Sequence, residues 1–148
     1  MNRWSQVRDD GTSHFCIVDG DQNAVSMTTT VNSQFGAGIL SRYSGNFLNN
    51  EMDDFSTRAE QSPGNLPPAP ANFIEQNKRP LSSMIPIIVM KDGQLAGVTG
   101  ASGGLQINAT VSQVFLNYFV LGIEPTAAIH RERVYPKVFE TFFKGKTC

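Results

Sequence analysis

The sequence predicts a single α+β domain, because two β-hairpin patterns are followed by a helical pattern. Its 148 residues match the length of one domain. Hydrophobic residues make up 40% of the chain and charged residues 17%, which is typical of folded rather than disordered proteins. The net charge of −1 argues against a nucleic-acid-binding surface, and no apolar run is long enough to predict a membrane span.

The first hairpin is predicted by two runs rich in β-branched residues, His14–Asp19 and Ala24–Val31. A turn centred on Asp21 pairs Thr12 with Thr30 across the two strands. In this register one face is apolar and suited to burial, and it carries Phe15, Ile17, Val25 and Met27. The opposite face is polar, and it carries Thr12, His14, Ser26, Thr28 and Thr30.

The middle of the chain contains less regular structure. Gly45–Asn50 is predicted as one more short strand. Ser62–Pro70 is rich in proline, which predicts a loop of extended character. A loop of this length inside a small domain is usually functional or disordered.

The last part of the chain is predicted to combine strands and helices. Ile85–Lys91 and Gln94–Gly100 flank an Asp-Gly dipeptide, which predicts a second hairpin. Gly100–Gly104 then opens a helix whose apolar residues follow i, i+3, i+4 spacing. A second helix is predicted near Glu124-Pro125, because proline is favoured in the first turn of a helix.

The first candidate for chemistry is Thr12, which follows Gly11 at the start of a predicted strand. Threonine is a weak nucleophile unless a base lies beside it, and a threonine that begins a chain can use its own α-amine as that base. Gly11 leaves room for an N→O acyl shift that cuts the chain before Thr12. Thr30 is placed to donate a hydrogen bond to the Thr12 oxygen. The alternative is that these residues only form a turn and a threonine-rich strand.

Three further segments carry groups suited to binding. The carboxylates and amides between Asn49 and Phe55 suit an ammonium group, although the same composition is found in solvated acidic turns. Ser82-Ser83 precedes a strand and suits a carboxylate, although serines are also ordinary turn residues. Gly100–Gly104 precedes a helix, where backbone N–H groups favour an anion or a tetrahedral oxyanion; the alternative is a plain helix start. The two histidines are too far apart to predict a metal site.

Five sequence segments occur in a distinctive order along the chain. They are Thr12-Ser-His-Phe, Thr30-Val-Asn32, Asn49-Asn-Glu51-Met-Asp-Asp54-Phe, Arg79-Pro-Leu-Ser82-Ser83-Met and Gly100-Ala-Ser-Gly103-Gly104. In this order they resemble the small subunit of the γ-glutamyltransferase (glutathione hydrolase) family, and the segment before Thr12 looks like the end of the large subunit in plant-type members. The resemblance implies an N-terminal nucleophile hydrolase fold, an αββα four-layer sandwich of which this chain forms the small-subunit half.

The resemblance implies a role for each candidate residue. Thr12 is expected to be the nucleophile, freed when the precursor cuts itself between Gly11 and Thr12, and Thr30 is expected to position it. The N–H groups of Gly103 and Gly104 are expected to hold the oxyanion. The α-amino group of the γ-glutamyl moiety is expected to be bound by Asn32, Glu51 and Asp54. Its α-carboxylate is expected to be bound by Ser82 and Ser83.

The implied activity is cleavage of the γ-glutamyl amide of glutathione or its conjugates, with transfer of the γ-glutamyl group to water, amino acids or peptides. No cofactor or metal is expected, and a large subunit of the same family is the expected partner. Relatives act at the outside of the plasma membrane or in the vacuole, while the polar N-terminus is not expected to be a signal peptide. The alternative is a truncated, catalytically inactive family member that acts at most as a binding partner.

The expected domain organisation has three parts. Residues 1–11 are expected to be large-subunit-like, residues 12–135 small-subunit-like, and residues 136–148 a divergent tail that lacks the closing strands of the family.

Overall fold

The computed structural model describes residues 11–58, 67–136 and 141–144. The segment before Gly11 and most of the proline-rich segment Ser62–Pro70 therefore lie outside the described residues. The strands are β1 (Thr12–Val18), β2 (Ala24–Thr30), β3 (Ile87–Lys91), β4 (Gln94–Thr99), β5 (Arg133–Pro136) and β6 (Thr141–Lys144), and the α-helices are α1 (Ile107–Phe115) and α2 (Pro125–His130).

The first hairpin has the predicted register. β1 pairs antiparallel with β2, and Thr12 lies opposite Thr30. The connection is organised by Asp19, whose carboxylate accepts hydrogen bonds from the backbone N–H groups of Asp21 and Asn23 and from the Asn23 side chain. The Asn23 side chain contributes most to holding the pKa of Asp19 below its usual value. The turn therefore sets which residues face each other across the strands.

The apolar face of this hairpin, which the sequence makes suited to burial, is about half exposed in the described chain. Its four apolar residues are between 40% and 56% exposed: Phe15, Ile17, Val25 and Met27. The polar face is the more enclosed one, because it turns toward the second hairpin. There the Ser26 hydroxyl donates a hydrogen bond of 3.0 Å to the carbonyl oxygen of Thr99.

The second hairpin is also confirmed, with slightly shorter strands than predicted. β3 pairs antiparallel with β4, with an irregularity between Val89 and Met90. Gly97 of β4 lies against the ring of Phe119, so that a Cβ atom at position 97 would be 3.0 Å from the Phe119 Cζ atom. The absence of a side chain at this position lets the helical region pack closely on the strand.

The predicted helix is present, and it begins with a 3₁₀ turn, Gly104–Gln106, before α1. Ile107 and Val111 of α1 are fully buried and form most of the small core, together with Ala128 of α2. The helix continues as a π-helical turn to Val120. α2 begins at Pro125 as predicted, with the Glu124 carboxylate accepting a hydrogen bond from the N–H of Ala127 at its start.

Two other expectations about the fold have different outcomes. Gly45–Asn50 does not form a strand; the chain makes a single bridge there, between Leu40 and Phe47. In the described residues the strands pair as three separate hairpins, β1–β2, β3–β4 and β5–β6, the last of which reaches into the tail. The α+β content is therefore confirmed, and the four-layer sandwich stays a prediction.

Candidate functional site

The junction between Gly11 and Thr12 lies at the edge of the first hairpin, opposite the end of β2. The Thr30 hydroxyl donates a hydrogen bond of 2.7 Å to the Gly11 carbonyl oxygen and accepts one of 2.8 Å from the Asn32 N–H. The predicted hydrogen bond from Thr30 to the Thr12 oxygen is therefore not formed. The physical reason is that the Thr30 proton has a backbone carbonyl within reach, which is a better acceptor than a hydroxyl group.

The Thr12 hydroxyl is enclosed but not engaged. Its Oγ1 atom is buried, and within the described part of the chain it has no hydrogen-bond partner. A buried hydroxyl without a partner is destabilising, so such groups usually have an explanation in function. The Thr12 hydroxyl therefore lies next in the chain to a carbonyl that accepts the Thr30 hydrogen bond, and no described group engages its oxygen.

Gly11 has a conformation that other residues rarely adopt. Its φ angle is +97°, and a Cβ atom at this position would lie 1.8 Å from the Asn32 carbonyl oxygen. Both the backbone angle and the close approach require glycine here. The glycine that the sequence places before Thr12 is thus needed for the local geometry, whatever its chemical role.

The end of β2 is joined to the acidic segment by two asparagines. Asn32 is buried, and its Nδ2 atom donates a hydrogen bond of 3.3 Å to the Asn50 carbonyl oxygen. Asn50 in turn exchanges two hydrogen bonds with Ser33, accepting one from its N–H and donating one to its hydroxyl, each of 3.1 Å. This amide network holds the residues that follow β2 against the residues that precede Glu51.

The acidic segment is a 3₁₀ turn, Glu51–Asp54. With three residues per turn, Glu51 and Asp54 fall on the same side of it. Asp54 is only 1% exposed, and the Oε2 atom of Glu51 is buried without a hydrogen-bond partner among the described residues, whereas Asp53 is exposed. The alternative of a solvated acidic turn therefore does not hold for Asp54, whereas Glu51 is half-buried with one enclosed carboxylate oxygen. Buried carboxylates on one side of a turn suit a cationic group such as an ammonium.

Asn72 is a buried residue next to the acidic turn that the sequence analysis did not single out. It is 7% exposed, and it contacts two segments that are distant in the sequence. Its Nδ2 atom donates to the Asp54 carbonyl oxygen at 2.7 Å, and its Oδ1 atom accepts from the Leu81 N–H at 3.0 Å. A single asparagine after Pro70 carries no signal in one sequence that separates it from the other asparagines of the chain.

The predicted carboxylate-binding serines follow directly after Leu81. Ser82 is exposed and Ser83 is half-buried. Because Asn72 holds the Leu81 N–H, the backbone at these serines is tied to the backbone of the acidic turn. The hydroxyl groups and the buried carboxylates thus belong to neighbouring segments.

The glycine-rich segment has the backbone angles that a helix entry of this kind needs. Gly103 has a φ angle of +123° and Gly104 of +58°, and Gly104 is buried at the first position of the 3₁₀ turn before α1. The first N–H groups of a helical segment lack partners within it, so they are available to an anion. The helix start is therefore confirmed, and the oxyanion role of Gly103 and Gly104 stays a prediction.

His14 brings the glycine-rich segment to the first hairpin. The imidazole of His14 lies against Gly100, where a Cβ atom would be 2.0 Å from its Cε1 atom. The Nδ1 atom of the same ring lies 2.9 Å from the Thr28 hydroxyl, which holds the ring in the hairpin. His14 is on the same strand face as Thr12, so the glycine-rich segment begins beside the strand that carries the candidate nucleophile.

All the predicted site segments are thus joined by contacts. A continuous series runs from Gly11 through Thr30, Asn32 and Asn50 to the acidic turn, and then through Asn72 to Leu81. Within the described ranges, no group of three His, Cys, Asp or Glu residues is placed to hold a metal ion. No described helix has the length and apolar character needed to cross a membrane.

Comparison with known proteins identifies the family of the chain, while the roles of the individual site residues stay predictions. The sequence profile of the family described as gamma-glutamyltranspeptidase matches residues 1–143. The chain is 59% identical over 138 residues to "Glutathione hydrolase 3" of Arabidopsis thaliana. The aligned region covers 93% of this chain and 22% of that protein. It is 54% identical over 136 residues to "Putative inactive glutathione hydrolase 4" of the same plant. Here the aligned region covers 90% of this chain and 71% of that protein.

A solved structure shows the same partial fold. The T380A mutant of the Helicobacter pylori gamma-glutamyltranspeptidase superposes with a TM-score of 0.74 at 38% identity, over 88% of this chain and 72% of that chain. The mixed α/β arrangement described above is therefore that of gamma-glutamyltranspeptidase structures over part of their length. The chain spans less than a quarter of the length of the first relatives that it matches, 22% in one and 23% in the other.

Proposed function

The chain belongs to the γ-glutamyltranspeptidase family, and we propose that it forms the nucleophile-bearing part of a glutathione hydrolase. The reaction is transfer of a γ-glutamyl group from glutathione or a glutathione conjugate to water, an amino acid or a peptide. The observation that carries the proposal is the arrangement at the Gly11–Thr12 junction. A buried, unengaged Thr12 hydroxyl lies next to a peptide carbonyl that already accepts a hydrogen bond from Thr30.

The first step in this proposal is cleavage of the chain by itself. The Thr12 oxygen attacks the Gly11 carbonyl carbon, its proton passes to the nitrogen of Thr12, and the acyl group moves from nitrogen to oxygen. Water then hydrolyses the resulting ester, which releases the Gly11 carboxylate and a free α-amine on Thr12. The Thr30 hydroxyl supports this step because it stabilises the negative charge that develops on the Gly11 oxygen.

The second step uses the freed Thr12 amine as the base. An α-amine has an ordinary pKa of about 8, which lies close to neutral pH and suits proton transfer. The Thr12 oxygen attacks the γ-carbonyl of the substrate, the N–H groups of Gly103 and Gly104 hold the oxyanion, and the leaving amine takes the proton. Water or an acceptor amine then cleaves the γ-glutamyl ester and restores Thr12.

Substrate recognition in this proposal follows the charges of the site. The buried carboxylate of Asp54 and the half-buried carboxylate of Glu51, with the Asn32 amide, bind the α-ammonium of the γ-glutamyl group. Hydroxyls of Ser82 and Ser83 bind its α-carboxylate. The support is that hydrogen bonds through Asn50 and Asn72 join these segments. The carboxylates that suit an ammonium group and the hydroxyls that suit a carboxylate therefore belong to neighbouring segments.

The proposed active form contains a large subunit of the same family. The support is the apolar face of the first hairpin, whose four apolar residues stay 40–56% exposed in the described chain. With the partner, β1–β2 and β3–β4 become parts of the two central sheets of an αββα sandwich. Without it, strand edges and the apolar face stay open to solvent.

The experiment that tests this proposal is co-expression of the chain with the large subunit of a plant glutathione hydrolase. The purified complex is assayed with a chromogenic γ-glutamyl anilide, and the intact mass of the chain reports cleavage before Thr12. We expect cleavage and turnover in the complex and neither in the Thr12→Ala variant. Thr29→Ala, a change on the opposite strand face, serves as the matched control. A cut at another bond, or turnover by the Thr12→Ala variant, contradicts the proposal.

A second candidate function is that of a non-catalytic family member that binds a partner. One comparison favours it. The chain aligns with 71% of the length of the Arabidopsis relative described as putative inactive, but with only 22% of the length of glutathione hydrolase 3. A complex that forms with the large subunit but neither cleaves itself nor turns over the anilide supports this second candidate.

A further inference from the structure

We propose that Asn72 is a positioning residue that sets the spacing between the ammonium-binding and carboxylate-binding segments, and thereby selects substrates that carry both groups on one carbon atom. The inference rests on the proposed function, because it concerns the same site. Asn72 itself is not proposed to touch the substrate. It acts through the backbone of the two segments that it joins.

The contacts of Asn72 use almost the full capacity of its side chain. Its Nδ2 atom donates to the Asp54 carbonyl oxygen at 2.7 Å and to the Ser56 hydroxyl at 3.3 Å, and its Oδ1 atom accepts from the Leu81 N–H at 3.0 Å. An amide has two donor hydrogens on nitrogen and an acceptor oxygen, so both ends of the group are engaged. No other side chain of similar size offers a donor and an acceptor in this arrangement.

The two segments lie far apart in the sequence but are separated in space by one amide group. Asp54 ends the acidic turn, and Leu81 directly precedes Ser82. Phe55 and Ser56 continue the segment after Asp54. All three residues are buried. The bond to Asp54 is buried and the bond to Leu81 is partly buried. Such bonds restrict the separation of two backbones more than fully exposed ones, because water replaces them less readily.

The position of Asn72 is itself held by the backbone. It is the last residue of a 3₁₀ turn, Pro70–Asn72, in which its N–H donates to the Ala69 carbonyl oxygen at 2.9 Å. Its carbonyl oxygen accepts the Ser56 N–H at 3.0 Å. This last bond does not involve the side chain, so a substitution at position 72 can leave it in place. The Ser56 N–H is therefore an internal reference for the local fold.

The first test measures the connection itself on the 148-residue chain. Amide hydrogen exchange is followed by mass spectrometry with residue-level fragmentation, at the low protein concentration that a marginally soluble chain allows. The parent, Asn72→Leu and Asn72→Asp are compared, with Asn108→Leu and Asn108→Asp as matched controls on an exposed position of α1. In Asn72→Leu we expect the Leu81 N–H to lose protection while the Ser56 N–H keeps it. In Asn72→Asp the acceptor for Leu81 remains, so its N–H is expected to stay protected. Unchanged exchange of Leu81 in Asn72→Leu, or equal loss at Leu81 and Ser56, overturns the inference.

The second test measures selection of the substrate by the complex with the large subunit. Inhibition constants are determined for L-glutamate, for glutarate, which lacks the α-amino group, and for 4-aminobutyrate, which lacks the α-carboxylate. Both Asn72 variants are expected to weaken inhibition by L-glutamate about tenfold, the equivalent of one hydrogen bond, and by the other two compounds about twofold or less. The Asn72→Asp variant is expected to behave like Asn72→Leu in this test, because its carboxylate cannot donate a hydrogen bond to the Asp54 carbonyl oxygen.

The outcomes separate the inference from the proposed function. Equal weakening of all three inhibitors shows a general structural loss and overturns the positioning role. A parent complex without turnover overturns the proposed function, and the part of the inference that concerns the substrate falls with it. The exchange experiment then still decides whether the Asn72 side chain joins the two segments.

Discussion

The hydroxyl of Thr30 donates a hydrogen bond of 2.7 Å to the carbonyl oxygen of Gly11. These residues lie on opposite sides of the first hairpin, and the bond crosses to the peptide group that precedes Thr12. While that peptide bond is intact, Thr30 is engaged by the Gly11 carbonyl. Cleavage at this bond would remove the carbonyl from its place in the chain and leave the Thr30 proton available to the Thr12 oxygen. The same hydroxyl can therefore serve two successive steps.

The first prediction concerns this hydroxyl. Thr30→Val keeps the shape of the side chain but removes the donor to Gly11 and the acceptor for the Asn32 N–H. Loss of a single oxyanion donor typically lowers a rate by about 10²–10³-fold, and we expect self-cleavage in the complex to slow by this order. The rate is followed by intact mass over time. Thr30→Ser keeps the hydroxyl and is expected to stay within about tenfold of the parent. Equal rates for the valine variant and the parent contradict the role of Thr30.

The second prediction concerns the glycine at the junction. Gly11→Ala places a Cβ atom 1.8 Å from the Asn32 carbonyl oxygen and forces alanine into a φ angle of +97°. Strain of this kind costs about 1–3 kcal/mol, so the end of the hairpin must move and self-cleavage is expected to be lost or strongly slowed. Gly20→Ala is the matched control in the same hairpin, since nothing lies within 4 Å of its added Cβ. Normal cleavage in Gly11→Ala shows that this local geometry is not required.

The third prediction compares two neighbouring carboxylates. Asp54 is 1% exposed, whereas Asp53 of the same turn is exposed. A hydrogen bond to a charged group contributes about 1.5–3 kcal/mol, so Asp54→Asn is expected to raise KM for γ-glutamyl substrates by about 10–100-fold. Substrates without the α-amino group are expected to change little, and Asp53→Asn is expected to behave as the parent. Equal losses for both substrate types remove the assignment of Asp54 to the ammonium group.

The fourth prediction concerns the chain without a partner. Because Ile17 is 56% exposed and Val25 43% exposed on one sheet face, the isolated chain is expected to be marginally soluble and to show no measurable γ-glutamyl transfer. Size-exclusion chromatography of the Ile17→Thr, Val25→Thr double variant is expected to show less aggregate, while its complex with the large subunit is expected to weaken. A monodisperse parent monomer that turns over the anilide is incompatible with this view of the apolar face.

The sequence by itself was sufficient to predict the local parts of the structure. The register that places Thr12 opposite Thr30 follows from strand alternation and from the length of the turn at Asp21, which are both local properties. The start of α2 at Pro125 follows from the preference of proline for the first turn. The order of the motifs along the chain was sufficient to indicate the family that the profile match over residues 1–143 confirms.

Only the tertiary structure decided which groups are partners. Thr30 donates to Gly11 rather than to Thr12, although both lie across the same hairpin, because the choice depends on the competition between two acceptors a few ångströms apart. Asn72 joins Asp54 to Leu81 through contacts over 18 and 9 residues, and no periodicity in the sequence encodes such a connection. Burial was likewise decided by what surrounds each face. The apolar face of the hairpin stays about half exposed, whereas Asp54, whose carbonyl oxygen accepts a hydrogen bond from Asn72, is 1% exposed.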